Sequence, residues 1–229
     1  MAFPQTHRSV VLAVQSDDAD ERRRALDTLL RTYWRPVFLH LQNRWRADGP
    51  RAEDLTQGFF AVALEKDWLE RFDPSKGRFR TFLLACLDAY AANDARAARR
   101  LKRAGDTPLS FDFEIAQPRD PEAEFRREWA RSLFALAVAA LRERCRGTPR
   151  EVAFALFERY DVEGVDALRR PTYADLAAEK GLPVTQVTNH LHWARREFRA
   201  AVLVTLREIT ASDAEFRAEA RDLLGVDPS

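Results

Sequence analysis

Thr185, Gln186, Asn189, His192, Trp193 and Arg196 crowd into one short stretch, and most of these side chains can bond the edges of bases. Asn and Gln can bond adenine in two places at once, Thr serves several bases, and Arg suits guanine or phosphate. If the stretch is helical, Val187, Leu191, Ala194 and Phe198 share an apolar face at three- and four-residue spacing, and the six positions above turn outward. Arg195, Arg196 and Arg199 lie further along, where a groove-bound helix meets the sugar–phosphate backbone. The alternative is an amphipathic helix whose polar face is only solvated. His190 and His192 are two positions apart and diverge on a helix, so they make no metal site.

Two further clusters carry the same kind of chemistry. In "RAARRLKR" the residues Arg96, Arg99, Arg100 and Arg103 fall at i, i+3, i+4 and i+7, with Lys102 beside them. No acid interrupts this stripe, which points to a polyanion, the alternative being a charged, solvated surface. Upstream, "FDPSKGRFRTF" interleaves Phe72, Phe79 and Phe82 with Lys76, Arg78 and Arg80. Aromatic rings stack on unpaired bases while cations hold the strand, although Phe is also the ordinary filling of a core.

The elements that must position these residues are helices. Thr172 is a good N-cap with Asp175 in capping-box position. Gly181 suits the left-handed residue that ends a helix, Leu182 supplies the apolar contact after it, and Pro183 opens the next helix. Helix, glycine turn and helix form the helix-turn-helix pattern, whose second helix lies in the DNA major groove. Apolar residues recur at helical spacing elsewhere too, and strand signals are nearly absent, so the expected fold class is all-α. A helix is expected over residues 18–45, kinked or divided at Pro36. Another covers 52–72, and a third follows the loop "DPSKGR". Residues 105–122 contain three prolines and no helical period, which marks a linker. The expected layout is a helical domain over 1–104, a linker over 105–124, and a second helical domain over 125–229.

The helix over 52–72 has more apolar faces than a surface helix needs. Leu55, Phe59, Val62, Lys66 and Leu69 form one face, and Glu53, Gln57, Phe60 and Leu64 the opposite one. Such a helix is buried at the centre of a bundle or docks a partner. Glu53 and Asp54 sit near its expected start, where the helix dipole favours acids.

Composition bounds the rest. Lys and Arg number 37 against 36 Asp and Glu, a net +1, so any nucleic-acid footprint must be local. Cys86 and Cys145 form no disulfide framework or zinc motif and read as reduced thiols. "VVLAV" near the start is too short for a membrane span or signal peptide, so a cytoplasmic chain with no membrane partner is expected. There is no P-loop, GxGxxG, HExxH or local nucleophile signature, so neither an enzyme nor a cofactor is expected.

Three segments together, in this order, resemble a bacterial RNA polymerase sigma factor of the extracytoplasmic-function group: "AEDLTQGFF", "GRFRTFLLACLDAYAANDARAARRLKR" and "TYADLAAEKGLPVTQVTNHLHWARREF". "LEKDWL", "GRFRTFLL" and "REWA" are similar to a subgroup often encoded near Ser/Thr protein kinases. The resemblance implies a sigma region-two bundle and a region-four helix-turn-helix domain with a C-terminal helix. It implies that Glu53, Asp54, Gln57 and Phe60 dock on the β′ clamp helices of core RNA polymerase, with the β flap as a further contact. Promoter DNA would be held at the minus-ten element by Lys76, Arg78, Phe79, Arg80, Arg96, Arg99, Arg100 and Arg103, the loop from Asp73 to Thr81 receiving a flipped base. Thr185, Gln186, Asn189, His192, Trp193 and Arg196 would read the minus-thirty-five element, and the linker would thread toward the RNA exit path. An anti-sigma protein or a Ser/Thr kinase is an implied controller. Departures from the family pattern include Gly58 for a common Glu, Ala85 and Ala89 for Arg and Asn, and Thr188, His190 and Trp193 for Lys, Arg and Arg. Thr56, beside Asp54, is a candidate phosphorylation position, since a phosphate would add about −1.5 to −2 charge to this thinned acidic helix; the alternative is an unmodified helix threonine. A helix-turn-helix regulator acting without polymerase, or a helical adaptor with no nucleic-acid role, are the competing functions.

Overall fold

A computed structural model of the chain describes residues 10–13, 16, 18–66, 68, 71–104, 120–165 and 170–228, with the backbone alone for Val10, Leu12, Val165 and residues 101–104. The described residues are all helical or loop, with no strand among them. The helices are α1 Val10–Ala13, α2 Ala19–Trp45, α3 Gly49–Glu65, α4 Phe79–Ala104, α5 Pro121–Cys145, α6 Glu151–Phe157, α7 Tyr173–Lys180, α8 Val184–Ile209 and α9 Asp213–Leu224. None of them is long and apolar enough to cross a membrane.

The chain divides into two compact units: residues 1–132 together with 206–229, and residues 133–205. This is not the expected division. The last helix groups with the N-terminal part, and the boundary falls inside α5 and α8. Residues 121–124, expected in the linker, form the first turn of α5, with the Asp120 carboxylate accepting the Ala123 amide at 3.0 Å. The remainder of the expected linker, 105–119, lies outside the described residues.

In the first unit, α2 starts at Asp18, whose carboxylate accepts the Asp20 and Glu21 amides. Leu29, Tyr33, Val37 and Leu41 then recur every four residues and are buried. The helix runs unbroken through Pro36, so the expected division there does not occur. Proline forfeits one backbone bond, but its ring is itself buried among these neighbours, and tertiary packing outweighs the local defect.

The start of α3 is set by Asp48, whose carboxylate accepts the Arg51 amide at 2.9 Å, with Pro50 in the first turn. The helix therefore begins three residues earlier than expected and ends at Glu65. Glu53 and Asp54 lie one turn in, beyond the reach of the dipole explanation. Its buried face is Ala52, Leu55, Thr56, Phe59 and Ala63. On α4 the buried residues include Phe79, Leu83, Leu87 and Ala91, again every four residues. Burying Phe or Leu side chains of this kind stabilises the fold by roughly 1.5–3 kcal/mol each.

The second unit is built around Leu141, Phe154, Leu156, Phe157, Leu176, Val187, Leu191 and Ala194. Between α6 and α7 the chain makes a π-helical turn over Glu158–Val162 and a 3₁₀ turn over Glu163–Val165.

One polar link inside the first unit has a pH signature. Asp88 Oδ1 accepts the Trp45 indole N–H at 2.8 Å and lies 2.8 Å from His40 Nε2. Burial pushes the Asp88 carboxyl up, but the bonds from His40 and Trp45 and the Arg44 charge hold it below its ordinary value. A lowered carboxylate stabilises the fold above its unfolded pKa, about 3.9, and that contribution is lost as pH falls through the folded value. Asp88→Asn is expected to flatten the acid limb of a urea-midpoint curve measured from pH 7 down to pH 3. An unchanged acid limb would remove this carboxylate from the account.

Candidate nucleic-acid interface

The helix-turn-helix forms as its caps dictate. Thr172 Oγ1 accepts the Asp175 amide at 3.1 Å, and Asp175 Oδ2 accepts the Thr172 amide at 2.8 Å. Gly181 takes the left-handed conformation at φ 64°, and the Leu182 amide reaches back to the Ala177 carbonyl at 2.9 Å. That turn sets the path into α8, where Val187, Leu191 and Ala194 are fully buried and Phe198 is half-buried. Thr185, Gln186, Asn189, His192 and Arg196 are exposed on the opposite side.

Three residues of this helix behave differently from expectation. Trp193 is half-buried against the core of its unit, so only part of its ring is available to a ligand. Arg195 is not a free cation. Its Nε and Nη2 donate to both oxygens of Asp161, at 2.8 and 3.0 Å, and Nη1 donates to the Tyr173 hydroxyl at 3.1 Å. These bonds, to Asp161 above all, outweigh partial burial and hold its pKa above the ordinary value. Asp161 stands on the π-helical turn and also takes Arg170 at 3.0 Å, so this carboxylate ties α8 and the loop before α7 to that turn, and Arg195 links them on to Tyr173 of α7. Arg196 pairs with the adjacent Glu197 at 3.2 Å, whereas Arg199 is exposed with no ion pair among the described residues.

Arg150 is a residue that sequence reasoning missed. Its guanidinium lies 4.6 Å from the centre of the Trp193 ring, is exposed, and makes no ion pair among the described residues. A cation over an indole face is held by the ring quadrupole. The basic run from Arg142 to Arg150 was a visible signal, but nothing in its spacing ties it to Trp193. Arg142, Arg144 and Arg146 of the same run are each paired with a glutamate.

In the first unit, Arg96, Arg99 and Arg100 are exposed and form no ion pair among the described residues. The side chains of Lys102 and Arg103 lie outside the described residues. The loop before α4 departs further from expectation. Lys76 is exposed beside Asp73, at 3.4 Å. Phe79 is buried edge-on against Tyr33, with ring centres 5.6 Å apart, and packs on Phe72 and Phe82. These rings are core, so the expected stacking of Phe79 on a base is not available in this conformation. Arg80 is only 4% exposed and donates to Glu219 at 3.0 Å. Arg78 donates to Asp222 at 2.9 Å and to Glu219 at 3.3 Å. The Phe79 amide, at the start of α4, donates to Glu215 at 2.7 Å. Three expected DNA contacts are thus occupied by acids of α9.

The outward face of α3 carries Glu53, Asp54 and Gln57, all exposed, with Glu53 and Asp54 free of ion pairs among the described residues. Phe60 is half-buried and stacked on Trp34, with ring centres 5.9 Å apart and planes 9° from parallel. With Leu64 it lines an apolar hollow that also involves Leu26, Leu30 and Leu83. Gly58 has a steric reason: a Cβ there would run into the Tyr90 hydroxyl. Thr56 faces inward, fully buried, and donates its hydroxyl to the Ala52 carbonyl at 2.7 Å. This corrects its place as a phosphorylation candidate. The hydroxyl is enclosed and already spent, and α3 would have to unpack to offer it.

Among the described residues no group of three or more His, Cys, Asp or Glu side chains is arranged to hold a metal ion. Cys86 and Cys145 are free thiols, and burial pushes both up. No family model matches this sequence, and none of the curated proteins compared with it gives a significant match. Function is therefore argued from the residues and their geometry.

Burial of Thr56 separates two outcomes. Thr56→Asp places an unpaired charge inside α3's packed face and is expected to cost at least about 2 kcal/mol in urea unfolding. Thr56→Val, which removes one hydrogen bond, is expected to cost about 1 kcal/mol. Equal stability of Thr56→Asp and wild type would mean that the position is open to solvent.

Proposed function

We propose that the chain is a sigma-type promoter-recognition subunit: it joins core RNA polymerase, reads duplex promoter DNA with α8, and supports strand opening at the start site. The observation that carries the reading is the capped helix-turn-helix whose second helix exposes Thr185, Gln186, Asn189 and His192 together. None of the four makes a side-chain hydrogen bond or ion pair among the described residues. Amide and hydroxyl side chains left without protein partners are the groups that bond base edges in the major groove.

Two features of the first unit add support. Arg96, Arg99 and Arg100 offer an unpaired basic row suited to a phosphate backbone. Glu53, Asp54, Gln57, Phe60 and Leu64 form an acidic and apolar outward face suited to docking on a protein partner, assigned here to the β′ clamp helices. Under this reading α8 takes the minus-thirty-five element, and Arg150, steadied by Trp193, takes a neighbouring phosphate. The β flap and a controlling anti-sigma protein or kinase belong to the same proposal, as does a cytoplasmic site of action.

One observation favours a second reading. Phe79 and Arg80, expected to engage an opened strand, are buried. A helix-turn-helix regulator that binds duplex DNA without polymerase needs neither residue exposed.

In vitro transcription with core polymerase on a promoter pool separates the two. The sigma-type reading expects new transcripts only when both are present, with permanganate-reactive thymines near the start site. Tight duplex binding by the free protein, with no transcript and no opened thymines, would replace it by the regulator. On a responsive promoter, Asn189→Ala is expected to cost about 1–3 kcal/mol and to relax preference at one base position. Arg150→Ala is expected to weaken all sequences alike and to reduce the slope of log affinity against log salt by about 0.9. A base-specific loss in Arg150→Ala would remove its assignment to phosphate.

A further inference from the structure

Glu215, Glu219 and Asp222 fall at i, i+4 and i+7 on α9, so they share one side of that helix. All three bind consecutive residues at the start of α4: the Phe79 amide goes to Glu215, Arg80 to Glu219, and Arg78 to Asp222 and Glu219. Two guanidinium groups and a helix-start amide are the donors that a phosphate group takes. We propose that α9 is a tethered stand-in for a nucleic-acid backbone: in the free protein its carboxylates occupy the Arg78–Phe79–Arg80 segment, and a strand gains that segment only by displacing them. The proposal rests on the nucleic-acid reading of this segment given above and adds its regulation.

The fit of the present occupant is incomplete. Arg80 Nε and Nη1 are buried without a hydrogen-bond partner among the described residues, the guanidinium lying over the Trp129 ring, and Glu219 Oε2 is likewise without one. Unpaired buried donors are costly, and well-packed apolar residues in place of a buried ion pair are often as stable or more so. A purely structural contact therefore gains nothing from leaving two arginine nitrogens without acceptors. A phosphate, with more acceptor oxygens than one carboxylate oxygen, would use them.

The contact is also graded. Arg78 and Asp222 are each about one-third exposed, with side-chain values of 33% and 35%, whereas Arg80 and Glu219 are at 4% and 1%. Exposed pairs are weak and screened by salt. Displacement would begin at the rim, at Arg78 and Asp222, and proceed to the enclosed pair. Asp222 is shared with Arg126 at 3.7 Å, so its departure leaves two cations facing the entering strand.

The test uses the full chain and a fluorescein-labelled single-stranded 20-mer (an illustrative length of about 20 nucleotides, more than one such site spans). Asp222→Asn removes the rim charge, weakens the bond to Arg78, and spares the enclosed pair. Its affinity is expected to rise about two- to fivefold, and the gain should vanish when Arg78→Ala is added. Asp227→Asn makes the same charge change at a carboxylate paired with Arg221 instead, and is expected to bind like wild type. Hydrogen–deuterium exchange gives a readout without mutation: amides of 213–224 should exchange faster when the oligonucleotide saturates the wild-type protein. Unchanged exchange there, or equal gains in Asp222→Asn and Asp227→Asn, would overturn the proposal. If promoter transcription succeeds while these results are negative, only the stand-in falls. If transcription fails while Asp222→Asn gains affinity through Arg78, the stand-in survives and the promoter reading falls.

Discussion

One buried ion pair, Arg80 with Glu219, constrains where α9 lies in the first unit. Enclosing a guanidinium and a carboxylate is tolerable only while each keeps the other, and removing either partner from such a pair costs about 3–5 kcal/mol. In the free protein the pair therefore holds the C-terminal helix against the start of α4, and residues 206–229 group with the N-terminal part of the chain. Its surroundings are consistent with that demand. The Trp129 ring lies 5.2 Å from the Arg80 guanidinium carbon. Burial, followed by the nearby Glu215 charge, pushes the Tyr33 phenol far above its ordinary value, so it adds no further charge.

The second unit has its own organising contact in Arg195 and Asp161. A two-pronged guanidinium–carboxylate bond fixes angle as well as distance, and here it spans from a π-helical turn to the middle of α8. Apolar packing through Val187, Leu191 and Ala194 sets how deep α8 sits; the ion pair sets how it is rotated. The residue that looked like a phosphate contact is in fact the one that aims the others.

What was legible in the sequence, and what was not, follows from the range of the causes. The all-α class, the Thr172–Asp175 capping box, the left-handed Gly181 and the inward row of α8 all arise from neighbours within a few residues, and the structure has each of them. The start of α3 lies three residues before the expected one because Asp48 caps it and Pro50 fits its first turn, signals that stand upstream of the apolar repeat. Of the two effects local propensity expects of Pro36, a kink or a division of α2, the division does not occur, and the proline lies buried inside the continuous helix. Phe79 and Arg80 were misjudged for a different reason: their partners, Tyr33 and Glu219, are far away in sequence, and no periodicity links them. Thr56 was a matter of register, since the inward face of α3 turned out to include it. Arg150 was hidden likewise, its relation to Trp193 existing only once the chain is folded.

Thr185, Gln186, Asn189 and His192 contribute nothing to the core that supports them. Under the proposed reading of α8, specificity and foldability are stored in separate residues of one helix. Lineages of such a protein could exchange the four solvent-facing letters one at a time without crossing an unstable intermediate. Retargeting to a new DNA word would then be limited by what the cell tolerates rather than by what the polypeptide can survive.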